Sequence, residues 1–462
     1  MNCFVGIDIG TSVTKCILIS QSGKILSHIK KSNIYIYGSS NRVEFSVDER
    51  YESICSLLRT LLLKKPEGAS VLAICISGAS GNALLLDGSR KPLTNAVSWL
   101  DERANSSFET LLTPFSSHYI YAITGWPRIS SFPLVYFSWM KENEPEVYHS
   151  ATYRVTDFVY YNYRLTNNWF IDTSTATNSY LLDQKKMQYH QPFLDYLDIK
   201  KESLPEIVKS GTPIGFVTKQ AADETHLPAG TPVIAGSFDH PSAARGTGMT
   251  QVGDLLLSCG TSWVGFCPVD NRDKALKEDL LVDPFLFPDG PWGAMFSYAG
   301  LGNIINEYLD ILSKRTKFGL SKFDEEIKSW NLRENKCLFN ILQKDIFPEA
   351  YIDYLMESFN VKEIYKSMIG SVCAIMEDKI SHFQHSSNRV NQITMVGGYS
   401  KSKFWPQVLS NYLDMPISLN NCEFAGCIGA VMLAGMGVGL FENESDAYRK
   451  LHITSTQLTP NS

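Results

Sequence analysis

A short unit, strand then Gly-Thr-Ser then strand, occurs twice in this chain, at Gly10-Thr11-Ser12 and Gly260-Thr261-Ser262, and it limits the folds available. Residues 3–9 alternate as a strand, three small residues turn the chain, and residues 13–19 resume the strand pattern, which predicts a β-hairpin. A second turn, Gln21-Ser22-Gly23, leads to a third strand. In the other copy residues 255–259 run into the turn and residues 263–269 return as an apolar strand. Copies 250 positions apart imply two similar domains in tandem, each opening with a hairpin whose turn faces a shared cleft.

Length supports that division, because 462 residues exceed the roughly 250–300 that one hydrophobic core sustains. The 44% of hydrophobic residues suffices for two cores. Strand patterns at 71–77, 84–87 and 232–236 alternate with a helical stretch at 132–141. The second half carries helical patterns at 301–312 and 364–380, a strand at 392–396, the turn Gly397-Gly398-Tyr399-Ser400, a helix through Leu413 and a small-residue helix at 426–436. Mixed elements in this order predict an α/β fold, cut near Met249 into domains 1–248 and 249–462.

Composition excludes several roles. The net charge of −6, without a basic block, argues against nucleic acid as a partner. No run reaches the ~18–20 apolar residues of a membrane span, and Asp8 arrives before a signal-peptide core could form. The ten cysteines include no C-x-x-C pair and read as reduced, buried thiols. A cytoplasmic location is expected.

Phosphate oxygens need converging backbone N–H groups and hydroxyls, which a Gly-Thr-Ser turn supplies because glycine leaves the backbone open. Either turn alone reads as an ordinary hairpin; two in equivalent positions point to a phosphate-bearing ligand. Asp8, two residues before Gly10, shares the turn's side of the strand and is suited to holding Mg²⁺ through water. The second copy has Ser258 there. Asp239 follows the strand at 232–236 and precedes Pro241-Ser242-Ala243-Ala244. Taken singly it reads as a helix N-cap; between the hairpins it is placed for a general base.

Gly397-Gly398 with Ser400 would let a flat ring and ribose lie on backbone, although strand, Gly-Gly, helix is also a generic turn. Trp99-Leu100-Asp101-Glu102-Arg103 reads equally as a surface helix start or as a site for a polyhydroxylated molecule. His240 lacks a partner at metal-ligand spacing and reads as structural.

The order of these segments is similar to that of the FGGY carbohydrate kinases, from about Phe4 to about Phe441. The residues that carry the resemblance are Gly6-Ile7-Asp8-Ile9-Gly10-Thr11-Ser12 with Lys15, Trp99-x-Asp101-x-Arg103, Gly236-Ser237-Phe238-Asp239, Gly260-Thr261-Ser262, Gly397-Gly398-Tyr399-Ser400-Lys401-Ser402 with Trp405 and Gln407, and Gly429-Ala430.

The resemblance implies two ribonuclease-H-like domains of the actin-like ATPase type around a central cleft, with sugar on the first, ATP mainly on the second, and closure over both. It implies Asp239 as base and Asp8 as the Mg²⁺ residue. Asn82, Trp99, Asp101, Arg103 and Asp239 would contact a sugar or polyol. Gly10, Thr11, Ser12, Lys15, Gly260, Thr261, Ser262, Gly300, Gly397, Gly398, Tyr399 and Ser402 would hold ATP. A homodimer is expected on the same ground, as are ketoses or sugar alcohols of about five to seven carbons.

Three departures stand out. Family members commonly place a lysine in the stretch matching 131–139, where this chain has Tyr136. Neither the Met-His of xylulose kinases nor the Arg-Glu of glycerol kinases occurs in Gly78-Ala79-Ser80-Gly81-Asn82. Residues 335–360 lack the glycine-rich, acid-containing stretch of many relatives. A second class therefore stands beside the kinase: a degenerate, nucleotide-binding regulatory or ATPase-type conformational protein, which would release no phosphorylated sugar.

Overall fold

A computed structural model describes residues 1–461 except 40, 317–319, 321–322, 325, 327–331, 335–336, 388 and 421–422. Cys422 and the first two residues of the shortened 335–360 stretch lie outside the described residues. The chain divides into two compact units. One comprises Met1–Thr250, Leu281–Gly290 and Phe424–Ile453; the other comprises Gln251–Leu280, Pro291–Glu423 and Thr454–Ser462. A single cut near Met249 does not contain the two returns to the first unit.

The first unit is built on a mixed sheet. Strand β1 (Asn2–Ile9) pairs antiparallel with β2 (Val13–Ser20), and β2 pairs antiparallel with β3 (Ile25–Ser32). On its other side β1 pairs parallel with Ser70–Gly78, which pairs parallel with Pro232–Ile234; that strand pairs antiparallel with Pro213–Phe216. Phe4, Val5 and Ile7 on β1 and Ile17 and Leu18 on β2 are all fully buried, as strands covered on both faces require. Helix α1 (Val47–Leu62) crosses between β3 and Ser70–Gly78, capped by Ser46, whose hydroxyl accepts from the Glu49 amide.

The second unit repeats this wiring. Asp254–Cys259 pairs antiparallel with Trp263–Val269, which pairs antiparallel with Trp292–Tyr298. Asp254–Cys259 also pairs parallel with Gln392–Val396, then Ile417–Leu419 follows parallel and Thr456–Leu458 antiparallel. Order and direction match the first sheet pair for pair, so the repeated Gly-Thr-Ser unit marks a repeated fold and not merely a repeated turn.

The helix Ala425–Gly437 belongs to the first unit although it comes late in the chain. It is buried along nearly its whole length and packs on β1 and on the helix Asp239–Thr247. That approach needs small residues: a Cβ on Gly429 would lie 1.8 Å from the Ser242 carbonyl oxygen. The Ser242 hydroxyl donates to the Gly426 carbonyl at 2.9 Å across the same contact.

Candidate active site

Asp8 stands near the end of β1, opposite Lys15 in the hairpin register. Its Oδ1 is buried without a hydrogen-bond partner. Burial pushes the Asp8 carboxyl up to about 6; Lys15 pulls against this and the negative charge of Asp239 adds to it. A Cβ on Gly426 would come within 2.7 Å of Asp8 Oδ2, so only glycine leaves the carboxylate its place. After Asp8 the chain turns at Gly10-Thr11-Ser12, closed by the Gly10 amide donating to the Val13 carbonyl at 3.1 Å. The Thr11 side chain accepts from Trp99 Nε1 at 3.2 Å.

Asp239 is the first residue of the helix Asp239–Thr247, with Phe238 at the cap position. It is thus one position inside the helix, where the N-terminal dipole favours a carboxylate. Its Oδ1 accepts from the His240 amide at 2.7 Å, and its side chain is 27% exposed, so an oxygen remains open to a ligand. The segment before it is pinned in two places. The Ser237 amide donates to Ser77 Oγ at 3.2 Å. The Phe238 amide donates to Ser174 Oγ at 3.1 Å, and Ser174 in turn donates to Asp283 Oδ2 at 2.7 Å. His240 Nε2 lies 3.8 Å from Asp239 Oδ1.

The other residues suggested for the sugar are held by one another. Asp101 accepts from the Val43 amide at 2.6 Å and from Arg103, which also pairs with Glu44. Both Asp101 and Arg103 are buried in a turn, so the segment is not a surface helix start. Asn82 donates to Asp157 Oδ1 at 3.1 Å and accepts from the Trp99 amide at 3.1 Å. Trp99 thereby touches both the Asn82 segment and the phosphate-type turn. Tyr136 lies beneath the Arg103 guanidinium, 5.2 Å from ring centre to Cζ. A second cation there would oppose Arg103, whereas the ring attracts it.

A cluster of aromatic rings that sequence reasoning missed packs beside this segment. Trp126 meets Phe132, Tyr180 and Phe238 with centroids at 5.6, 6.5 and 5.8 Å. Phe132 packs against the bare face of Gly81, where a Cβ would lie 2.5 Å from its ring. Trp126 and Phe132 are 6 positions apart, but Tyr180 and Phe238 lie 54 and 112 positions beyond Trp126, so spacing carries no signal for the cluster.

In the second unit the structure brings together most of the residues proposed for the nucleotide. The Gly302 amide donates to the Thr261 carbonyl at 2.9 Å, and the Gly300 amide to Ser262 Oγ at 3.2 Å. The Tyr399 hydroxyl reaches the Gly302 carbonyl at 2.8 Å, and its ring meets Trp263 at 5.3 Å. Gly397 has φ +96°, while a Cβ on Gly398 would meet nothing within 4 Å. The Ser402 hydroxyl is occupied within its own loop, accepting from the Phe404 amide at 3.1 Å.

Residues 3–246 match the model of the FGGY family of carbohydrate kinases, N-terminal domain, and residues 349–438 match that of its C-terminal domain. The chain belongs to the FGGY family of carbohydrate kinases. It is 24% identical over 454 residues to a xylulose kinase of Bacillus subtilis, covering 96% of this chain and 90% of that protein. It is 25% identical over 462 residues to an L-fuculokinase of Salmonella typhi, covering 96% and 93%. Among solved structures, a ligand-bound xylulose kinase from Lactobacillus acidophilus superposes with a TM-score of 0.87 at 20% identity, covering 100% of this chain and 94% of that one. The FGGY chain thus has the two-domain, actin-like ATPase fold and is an ATP-dependent carbohydrate kinase. Nothing in these comparisons supports a regulatory or ATPase-type role instead. The nine described cysteines of this FGGY member are buried thiols outside any disulfide, and among the described residues no helix is long and apolar enough to cross a membrane.

Proposed function

We propose that the first unit binds a small sugar or polyol beside Asp239, and that this carboxylate takes the proton of the hydroxyl to be phosphorylated. The observation that carries the reading is the pairing of two differently held carboxylates, Asp8 near the end of β1 and Asp239 at the start of the helix Asp239–Thr247, on two elements that both pack against the small-residue helix Ala425–Gly437. Asp8 is buried with an unpartnered oxygen; Asp239 is part-exposed at a helix N-terminus with one oxygen engaged. Such divergent environments suit divergent roles.

Among the described residues no three His, Cys, Asp or Glu side chains gather to hold a metal by themselves. The unpartnered Asp8 oxygen fits Mg²⁺, which keeps most of its waters and takes one carboxylate together with substrate phosphate oxygens. When bound, Mg²⁺ would neutralise charge on the transferring phosphate.

The chain's own residues do the rest. The turn at Gly10-Thr11-Ser12 offers backbone N–H groups to phosphate oxygens, and Lys15 adds a positive charge on β2. Asp239 accepts the hydroxyl proton as the acceptor oxygen forms its bond to the γ-phosphorus of ATP. The bond from that phosphorus to the bridging oxygen breaks, and ADP leaves with the electron pair. In the second unit, the Gly260-Thr261-Ser262 turn with Gly300, and the open backbone at Gly397-Gly398 beside Tyr399, are proposed to hold the nucleotide. Asn82, Asp101 and Arg103, being bonded to neighbours, are proposed to fix the shape of the sugar segment, leaving Trp99 and the rings around Trp126 to face the substrate.

The relatives named for xylulose and fuculose act on different sugars, and residues 78–82 carry neither pair noted above, so a ketose or sugar alcohol is proposed only as a class. A coupled ADP-release assay across ketoses, aldoses and polyols, with mass spectrometry of the product, tests the reading. One acceptor should give ADP and sugar phosphate in equal amounts; ADP without a phosphorylated product would reject it.

A further inference from the structure

The carbonyls of the turn Gly10-Thr11-Ser12 are all taken from one side. Asn33, just beyond β3, donates through Nδ2 to the Gly10 carbonyl at 2.6 Å and to the Thr11 carbonyl at 3.2 Å. Its own amide donates to the Ser12 carbonyl at 2.9 Å. The Tyr35 hydroxyl donates to the Thr11 carbonyl at 2.8 Å. The orientation of the Asn33 carboxamide is set, because the Thr14 hydroxyl donates to its Oδ1 at 2.7 Å while the two carbonyls can only accept.

In a trans peptide the carbonyl and the N–H of the next residue point in opposite directions. Holding the Gly10 and Thr11 carbonyls from behind therefore turns the Thr11 and Ser12 N–H groups the other way. Neither N–H has an acceptor among the described residues. Two successive N–H groups left open on one side form a concavity suited to an anion. The clamp is itself braced: Arg50 on α1 is buried, lies 5.0 Å from the Tyr35 ring and 4.1 Å from Phe45, and donates to the Ile34 carbonyl at 3.1 Å.

We infer that Asn33, assisted by Tyr35, is a positioning residue that aims the amides of the Gly10-Thr11-Ser12 turn at the phosphates of ATP. The inference rests on the proposed reading of that turn as a phosphate site. Asn33 touches no substrate; it acts through the backbone it holds. A residue that only stabilised the hairpin would leave nucleotide binding unchanged in any folded variant. A positioning residue changes binding in proportion to the phosphates a ligand carries.

The test is calorimetric titration of the full chain with Mg-ATP and, separately, with adenosine. Asn33→Asp keeps the shape and the acceptor for Thr14 but sets a carboxylate oxygen against two carbonyls. Its Kd for Mg-ATP should rise about tenfold or more, the size of one hydrogen bond to a charged group. Its Kd for adenosine should stay within about twofold of wild type. Tyr35→Phe, which removes one hydroxyl at a half-buried site, should show the same contrast at about threefold and serves if Asn33→Asp does not fold. Gly10→Val is the control for the turn. If it weakens Mg-ATP binding while folded Asn33→Asp and Tyr35→Phe bind as wild type, the clamp is refuted and the turn stands. If Gly10→Val also binds as wild type, the turn is not the phosphate site and both readings fall.

Discussion

The Trp99 indole donates its N–H to the Thr11 hydroxyl at 3.2 Å, joining the segment proposed for sugar to the turn proposed for phosphate. The Trp99 amide is fixed in turn by Asn82, so the contact couples two loops that are 88 residues apart. Removing either partner should therefore have the same consequence as removing both. In a double-mutant cycle of Trp99→Phe and Thr11→Val, a coupling of about 0.5–1.5 kcal/mol in kcat/KM is expected. Additive effects would show that the bond carries no information between the two segments.

Gly426 faces the Asp8 carboxylate closely enough that an added methyl must displace it. Gly426→Ala should lower kcat by something on the order of 10², the scale of a misplaced catalytic group. The Mg²⁺ concentration needed for half-maximal activity should rise together with that loss. A variant that folds and shows wild-type Mg²⁺ dependence would separate Asp8 from the metal.

Burial pushes the Asp283 carboxyl up to about 7, with Ser174 and Arg245 pulling against it. A carboxyl whose folded value is raised contributes stability that is full below its ordinary value and is lost as the pH climbs through the raised one. Asp283→Asn should therefore match wild type in thermal midpoint near pH 4 and exceed it by pH 8, the gap opening between. Differential scanning calorimetry at pH 4, 6 and 8 reads this directly. A gap that closes as pH rises would mean that Asp283 is held ionised in the fold.

Much of this was legible before any coordinates because small residues in turns announce themselves. Gly10-Thr11-Ser12 and Gly260-Thr261-Ser262 could be read as a duplicated hairpin, and the two sheets do share one order over six strands, the second sheet having a seventh. Asp8 and Asp239 were identifiable from their places at strand and helix ends. Other features depend on partners far away in the chain. Ser174 meets Asp283 across 109 positions, and no periodicity points to that pair. Trp99–Arg103 has the same composition whether it faces sugar or forms an internal ion pair, and only burial distinguishes the two. The small-residue helix Ala425–Gly437 could be read as a helix, but not as the element that closes on β1 in the first unit. Asn33 lay in a stretch whose polar residues look like any loop.

The proposed mechanism depends on Asp239 taking the proton of the acceptor hydroxyl. Its most direct test is the rate of sugar-phosphate formation by Asp239→Asn, measured by mass spectrometry with the acceptor that wild type turns over. Turnover should fall by about 10²–10⁴ while the Kd for Mg-ATP and the thermal midpoint stay close to wild type. Product formation at the wild-type rate in the folded variant would contradict it.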